Sequence, residues 1–156
     1  MSNATAVMGL SDTTLAKLRE LRQFNVDSAK GFNECADLVS NDRVKSAFTE
    51  IAKTRLENAD QLATQIEWNG ESEAEDGSYL AAFHRVWIKV REACSSDSVE
   101  TVLIEAERGE DEIKEAYEDA LKEACDSPVC DLIKTQYETV KATHDRVRNL
   151  RDAKLS

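Results

Sequence analysis

The sequence predicts an all-α protein, a four-helix bundle in which one shorter helix connects two pairs of long helices. Apolar residues recur at the 3.6-residue spacing of an amphipathic helix in five consecutive segments. The 156 residues include one proline and five glycines, fewer than a sheet with many turns needs. Charged residues make up 33% and aromatic residues 6% of the chain, which is typical of long helices with solvated outer faces.

The first two predicted helices each begin after a good capping residue. Helix one starts near Ser11 or Asp12, because the side-chain oxygens of serine and aspartate bind the free N–H groups of a first turn. Helix two follows Ser40 and Asn41 and continues to about Trp68, where an Asn-Gly turn ends it.

The other three predicted helices follow polar breaks in the pattern. They span about 78–93, 98–125 and 128–152, and the last begins with a Ser-Pro pair that suits a helix start. Residues 1–10 are small and mixed, so we interpret them as a flexible tail. Residues 11–153 then form a single bundle domain.

The lengths of these helices predict how they are connected. A helix of about 28 residues is roughly 42 Å long, and helix three is about half that length. Helix three can therefore cross over between two antiparallel pairs, which gives the order up, down, crossover, down, up. This order is the connectivity of ferritin-like bundles.

The net charge of −11 at pH 7 argues against two classes of partner. Nucleic acids and anionic membrane surfaces both need clustered lysine and arginine. No apolar run approaches the roughly 20 residues that span a bilayer, and we find no secretory signal pattern. We therefore expect a cytoplasmic protein whose protein partners are unknown, and a homo-oligomer formed through outer helix faces stays open.

The four cysteines are not arranged in a CxxC motif, which argues against a zinc ribbon or a thioredoxin-like site. We expect reduced thiols, as in most cytoplasmic proteins. The alternative is a disulfide at either end of the bundle, which would join Cys35 to Cys94 or Cys125 to Cys130.

Polar residues interrupt the apolar faces near the middles of the four long helices. Glu110 falls within the apolar face of helix four, beside Gly109, and glycine costs a helix roughly 1 kcal/mol relative to alanine. Arg55 can neutralise Glu110 through a bidentate ion pair, and we expect His144 to reach the same carboxylate. The predicted polar core layer consists of Asn25, Arg55, Asn58, Glu110, Gln136 and His144.

Five segments carry a pattern that extends from about Leu15 to Asp152. They are VDSAKGF (26–32), FTEIAKTRLENADQL (48–62), LAAFHRVW (80–87), EAERGEDEIKEAYEDAL (105–121) and QYETVKATHDRVRNLRD (136–152). In these segments the chain resembles a bacterial family of small ferritin-like four-helix-bundle proteins, a domain of unknown function. The resemblance implies the ferritin-like fold and no particular activity, because a fold does not determine a function.

A di-iron centre in such a bundle needs a glutamate from each of two helices and a Glu-x-x-His motif from the other two. The chain has two histidines, and the residues three positions before them are Ala81 and Lys141. Helices one and two offer no carboxylate on their apolar faces. The di-iron ligand set is therefore incomplete, and we predict no cofactor. The alternative is iron or another divalent metal at an atypical site, for which the candidates are Glu107, Glu110 and His144.

We predict no catalytic residue, because no nucleophile elbow, phosphate loop or dinucleotide fingerprint occurs. The sequence favours a non-enzymatic protein with a structural, interaction or stress-related role. Two alternatives stay open. One is a metal-binding protein or an oxidase or ferroxidase with a site around Glu110 and His144, and the other is a module that binds a small ligand at its polar centre.

Overall fold

The chain folds into five α-helices in a computed structural model that describes residues 9–70, 77–96, 98–124 and 127–155. The helices are α1 (Asp12–Leu38), α2 (Asp42–Trp68), α3 (Gly77–Ser96), α4 (Val99–Ala124) and α5 (Cys130–Leu155). The described residues contain no β-strand, so the predicted all-α class is confirmed. Across those same residues, no helix combines the length and the apolarity that crossing a membrane requires.

The capping residues predicted for α1 and α2 do cap these helices. Ser11 Oγ accepts a hydrogen bond from the N–H of Thr14 at 3.1 Å. Asn41 Oδ1 accepts one from the N–H of Val44 at 3.0 Å. Each bond satisfies a donor that a helix start otherwise leaves free, which explains why both helices begin where the sequence predicts.

Two helix ends differ from the prediction by a few residues. α3 continues to Ser96, three residues further than expected. α5 begins at Cys130 and not at Pro128, because the N–H of Cys130 bonds to the carbonyl oxygen of Ser127 at 3.0 Å in a tighter turn that precedes the α-helix. The predicted end of helix four at Cys125 lies outside the described residues.

Leu10, the last residue of the predicted tail, has contacts with the bundle. Its N–H donates a hydrogen bond to Asn69 Oδ1 at 3.2 Å, and its side chain packs against the core. The start of α1 is therefore fastened to the turn that follows α2. Residues 1–8 of the predicted tail lie outside the described residues.

Four helices form the bundle, and they pack as two antiparallel pairs. α1 lies along α2 and α4 lies along α5, while the pairs meet through α1 with α4 and through α2 with α5. α2 and α5 run antiparallel, since Glu50 pairs with Arg146 at 2.8 Å and Gln61 bonds to Gln136 at 2.9 Å. Side chains from all four helices can therefore meet at one height in the centre.

α3 lies against α1 and α4 and runs parallel to α1. His84 Nε2 lies 3.5 Å from Asp27 Oδ2. Further toward the C-terminal ends of both helices, Arg91 Nη1 lies 3.1 Å from Glu34 Oε1. Both acids of α1 point away from the bundle centre, as the sequence predicts, and they face the connecting helix.

Trp87 of α3 fills a space between α1 and α4 at which both helices carry a glycine. A Cβ added to Gly31 would overlap the indole ring, with Cζ3 at 2.6 Å, whereas one added to Gly109 would lie 3.1 Å from Cζ2. Phe32 contacts the same ring edge-on, with centroids 4.8 Å apart. The two helix-weakening glycines therefore allow the large ring to lie close to both backbones.

We expect Gly31→Ala to lower the free energy of unfolding by about 1–3 kcal/mol, because the added methyl group displaces Trp87 from a packed core. The better helix propensity of alanine, worth roughly 1 kcal/mol, offsets only part of that loss. Gly109→Ala is the matched control, since a shift of a few tenths of an ångström relieves its contact, and we expect a smaller loss. Urea unfolding measures both variants, and equal losses would contradict this account.

Cys35 on α1 and Cys94 on α3 form a disulfide, with their Cα atoms 5.3 Å apart. The prediction that the thiols are reduced is therefore wrong for this pair, and the alternative of a bridge at one end of the bundle describes it. Cys130 is a buried free thiol. Cys125, the partner considered for it, lies outside the described residues. The bridge fastens the connecting helix to the first helix of the bundle.

Candidate functional site

The guanidinium of Arg55 on α2 contacts one side chain from each of the other three helices of the bundle. Arg55 Nη2 on α2 donates to Glu110 Oε1 on α4 at 2.7 Å and to Thr143 Oγ1 on α5 at 2.6 Å. Its Nη1 donates to Ser28 Oγ on α1 at 3.1 Å. The side chains of Arg55 and Glu110 are 0% exposed, so the ion pair lies in a medium of low dielectric constant. We refer to Ser28, Arg55, Glu110 and Thr143 as the ionic layer.

A second layer lies one to two helical turns away and again takes one residue from each bundle helix. Asn25 Nδ2 donates to Tyr117 Oη at 2.8 Å, and this hydroxyl donates to Gln136 Oε1 at 2.6 Å. Gln136 Nε2 donates to the carbonyl oxygen of Asn58 at 3.2 Å, and Asn58 Nδ2 lies 3.5 Å from Asn25 Oδ1. These bonds close a ring around the bundle axis. We refer to Asn25, Asn58, Tyr117 and Gln136 as the amide layer.

The ionic layer is not completely hydrogen-bonded. Within the described part of the chain, Glu110 Oε2 and Arg55 Nε are buried without a hydrogen-bond partner. An unsatisfied buried polar atom costs roughly 1–3 kcal/mol, and a buried ion pair seldom adds stability over apolar packing. The layer is therefore better explained by its effect on the register of the four helices than by a gain in stability.

The structure places five of the six residues of the predicted polar core layer in the ionic and amide layers, and His144 elsewhere. His144 is buried, but its Nε2 lies 2.6 Å from Asp111 Oδ1 and its Nδ1 lies 3.3 Å from Asp145 Oδ1. The expectation that His144 reaches Glu110 is therefore wrong. His144 directly follows Thr143 on α5, and one residue turns a helix by about 100°, which points the ring toward the α4–α5 surface.

The three metal candidates from the sequence do not lie together. Glu107 and His144 lie near Asp111, and one ligand atom from each of these three residues lies within 4.8 Å of the others. Glu107 and Asp111 are four residues apart and share one face of α4. Arg151 of α5 forms an ion pair with Glu107. Glu110 is on the core side of α4 and belongs to the ionic layer.

The centre of the bundle does not fit a pair of metal cations. The point at which four helices direct polar side chains holds the guanidinium of Arg55, which already supplies the positive charge that Glu110 needs. Glu20 of α1 is also buried, at 7% exposure, although the sequence predicts no carboxylate on the apolar face of this helix. Glu20 lies eight residues before Ser28, about 12 Å along the helix, and is therefore too distant to share a cation with Glu110.

Sequence reasoning missed four residues of these arrangements, which are Ser28, Tyr117, Thr143 and Asp111. Tyr117 lies at the apolar spacing of helix four, but a buried tyrosine hydroxyl usually needs a partner, and that requirement is the signal in the sequence. Thr143 lies outside the predicted layer, yet it accepts a bond from Arg55 and lies 2.9 Å from the Glu110 carboxylate. Asp111 was signalled only by its four-residue distance from Glu107.

Burial raises the pKa of Tyr117 well above its usual value, and the hydrogen bond from Asn25 opposes this only in part. Tyrosine in the unfolded chain ionises near about pH 10. Because the folded pKa is higher, the stabilising contribution is complete below about pH 10 and is lost as the pH rises further. Burial and the adjacent Glu118 raise the pKa of Tyr137 to about 12, so this second phenol acts in the same direction.

We therefore expect the free energy of unfolding to fall more steeply with pH above about pH 10 in the natural protein than in Tyr117→Phe. The difference in slope is about 1.4 kcal/mol per pH unit for one phenol that ionises only in the unfolded state. Urea unfolding at several alkaline pH values measures both slopes. Parallel slopes would show that Tyr117 ionises in the folded protein.

A protein-family model matches most of the chain. Residues 13–123 match a family model described as a domain of unknown function (DUF2383). The matched residues include Arg55, Glu110 and Tyr117 and end before α5 begins. No curated protein matches the chain. Because the family model matches more than half of the 156 residues, the chain belongs to the DUF2383 family, a domain of unknown function.

Proposed function

We propose that this protein is a non-enzymatic, ferritin-like helical bundle with a structural, interaction or stress-related role. The observation that carries the proposal is the buried guanidinium of Arg55, which is bonded to one side chain from each of the other three bundle helices. A ferritin-like metalloprotein would direct carboxylates to that point and charge-balance them with metal ions. Here the protein supplies the cation itself.

The chemistry of the ionic layer supports the absence of a reaction there. Arginine cannot lose its proton in proteins, so Arg55 is not a general acid or base. Glu110 Oε1 accepts bonds from Arg55 and Thr143, and both members of the ion pair are 0% exposed. A substrate would have to break these bonds before it could reach either group.

The alternative of an oxidase or ferroxidase around Glu110 and His144 has less support, because His144 is bonded to Asp111 and Asp145. The alternative of a small-ligand module needs a cavity beside the polar centre. A groove of about 610 Å³ lies between α2 and α5, lined by charged residues such as Asp42 and Arg146, and it includes no member of the ionic or amide layer.

Iron oxidation tests the proposal directly. Ferrous iron is added in air to protein freed of metal, and the absorbance of ferric iron is followed against buffer and against Glu110→Gln. We expect the protein to oxidise iron no faster than buffer, and Glu110→Gln to change neither this rate nor the iron bound. Two equivalents of bound iron and rapid oxidation, both lost in Glu110→Gln, would overturn the proposal.

The proposal places the protein in the cytoplasm, where glutathione keeps accessible thiols reduced. The Cys35–Cys94 disulfide is then a form that appears under oxidation, which suits a stress-related role. Its formation removes two protons and two electrons from the thiols, and hydrogen peroxide accepts them as it is reduced to water. Thiol blocking in cells before and after peroxide exposure should show two cysteines that become protected. A bridge complete before exposure would contradict the cytoplasmic assignment.

A further inference from the structure

We propose that Glu107, Asp111 and His144 bind one divalent first-row transition-metal ion at the surface between α4 and α5. One ligand atom from each residue lies within 4.8 Å of the other two. Glu107 and Asp111 share one face of α4, and His144 faces them from the antiparallel α5. The three donors therefore come from two packed helices, whose relative position is set by the core.

The exposure of these residues suits a site that a cation can enter. The side chain of His144 is 11% exposed and that of Glu107 is 13% exposed, so packing holds both in place. The side chain of Asp111 is 55% exposed and covers the open side. Two mostly buried ligands and one exposed ligand leave the site open to an ion from solvent without a change in the core.

The hydrogen bonds of His144 orient its ring as a metal ligand. A neutral imidazole has one N–H donor and one lone pair. His144 has a carboxylate oxygen at each nitrogen, Asp145 Oδ1 at 3.3 Å from Nδ1 and Asp111 Oδ1 at 2.6 Å from Nε2. A proton on each nitrogen lets the ring donate to both carboxylates, and a metal ion bound to Nε2 replaces the second of these protons while Nδ1 still donates to Asp145. A metal-bound histidine that donates its other N–H to a carboxylate is the usual arrangement in metal sites.

The charges around the site also favour a cation. Three carboxylates converge on His144 from Glu107, Asp111 and Asp145, while Arg151 pairs with Glu107 and Arg148 lies 3.4 Å from Asp145. Arg151 also pairs with Asp152 at 3.0 Å, so the two guanidiniums do not balance the carboxylates around a neutral imidazole. Arg151 contacts one oxygen of Glu107, and a carboxylate has a second oxygen for a metal.

The donor set narrows the choice of metal. One imidazole nitrogen and two carboxylates suit zinc, manganese or ferrous iron, whereas magnesium and calcium prefer oxygen ligands alone. Tetrahedral donors about 2.1 Å from zinc lie about 3.4 Å apart, so the Asp111 carboxylate has to move outward by about 1 Å. Water completes the coordination of such an open site. Zinc should bind more tightly than manganese.

Calorimetric titration of the full chain with zinc chloride, after treatment with a chelator, tests the site. We expect one equivalent of zinc to bind, and we expect His144→Ala and Asp111→Asn each to raise the Kd at least tenfold. His84→Ala is the matched control, because it removes the other histidine of the chain, which is 51% exposed and lies beside Asp27 on another face. It should leave the Kd unchanged.

Two outcomes would overturn the proposal: no saturable binding, or binding that His144→Ala does not weaken, which would show only cations held loosely by an acidic surface. Far-ultraviolet circular dichroism checks that the variants fold. If His144→Ala unfolds, the exposed Asp111→Asn variant still decides the question. Failure here leaves the proposed function standing, since that function needs no metal.

Nitrogen-detected spectra of the imidazole ring supply a second readout. Zinc should shift the Nε2 resonance of His144, while Nδ1 keeps its proton and its bond to Asp145. A spectrum in which zinc leaves both nitrogens unchanged would also overturn the site. Asp145→Asn should weaken zinc binding by about 10- to 100-fold through the orientation of the ring, and Asp111→Asn removes a ligand outright.

Discussion

We expect Glu110→Ala to lower the free energy of unfolding by about 3–5 kcal/mol, the usual cost of removing one partner from a buried ion pair. The variant leaves Arg55 fully buried with Thr143 and Ser28 as its remaining partners, and neither carries a charge. A guanidinium cannot shed its proton to escape this environment. Urea unfolding at neutral pH measures the loss.

Two further variants separate the cost of an unpaired charge from the value of the pair. Arg55→Met should cost less than Glu110→Ala, because the orphaned carboxyl can take up a proton. The double variant Arg55→Met, Glu110→Leu should lie near the natural protein, since apolar replacement of a buried pair is often neutral. A loss of less than about 1 kcal/mol in Glu110→Ala would mean that Arg55 finds another partner or reaches water.

Reduction of the Cys35–Cys94 disulfide should lower the free energy of unfolding by about 4 kcal/mol. The two cysteines are 59 residues apart, and the estimate comes from the entropy that a closed loop of this length removes from the unfolded chain. The bridge ties α3 to α1, so its loss also frees the helix that carries Trp87. Urea unfolding with and without a reductant measures the difference.

The controls for this prediction are cysteine variants. In the double variant Cys35→Ala, Cys94→Ala, the reductant should no longer change the unfolding midpoint. Cys130→Ala removes the buried free thiol and should keep the full dependence on reductant. An unfolding midpoint of the natural protein that is the same under oxidising and reducing conditions would contradict a stabilising bridge.

Local signals in the sequence predicted much of the fold. Ser11 and Asn41 mark helix starts because capping depends on a few adjacent residues. The polar core layer was also predictable, since Asn25, Arg55 and Glu110 interrupt otherwise apolar helix faces and such residues need partners when buried. The helical period indicates which positions of a helix face the core.

Contacts between segments that are distant in the chain could not be predicted from such local signals. Gly31 and Gly109 make room for the Trp87 ring. This ring belongs to α3, and no local sequence pattern predicts where α3 packs. The position of His144 and Glu110 near helix middles predicts that they meet, but a turn of one residue on α5 directs His144 to Asp111. The disulfide depends on the same placement of α3.

The ionic layer also decides which halves of the molecule can recognise each other. The α1–α2 hairpin contributes Arg55 and the α4–α5 hairpin contributes Glu110, so each half presents one sign of charge at the same height. Two copies of the same hairpin would bring like charges together in the core, and this would oppose their association. Each hairpin therefore pairs with the other hairpin and not with a copy of itself. Exchange of hairpins between two chains would preserve every bond of the layer.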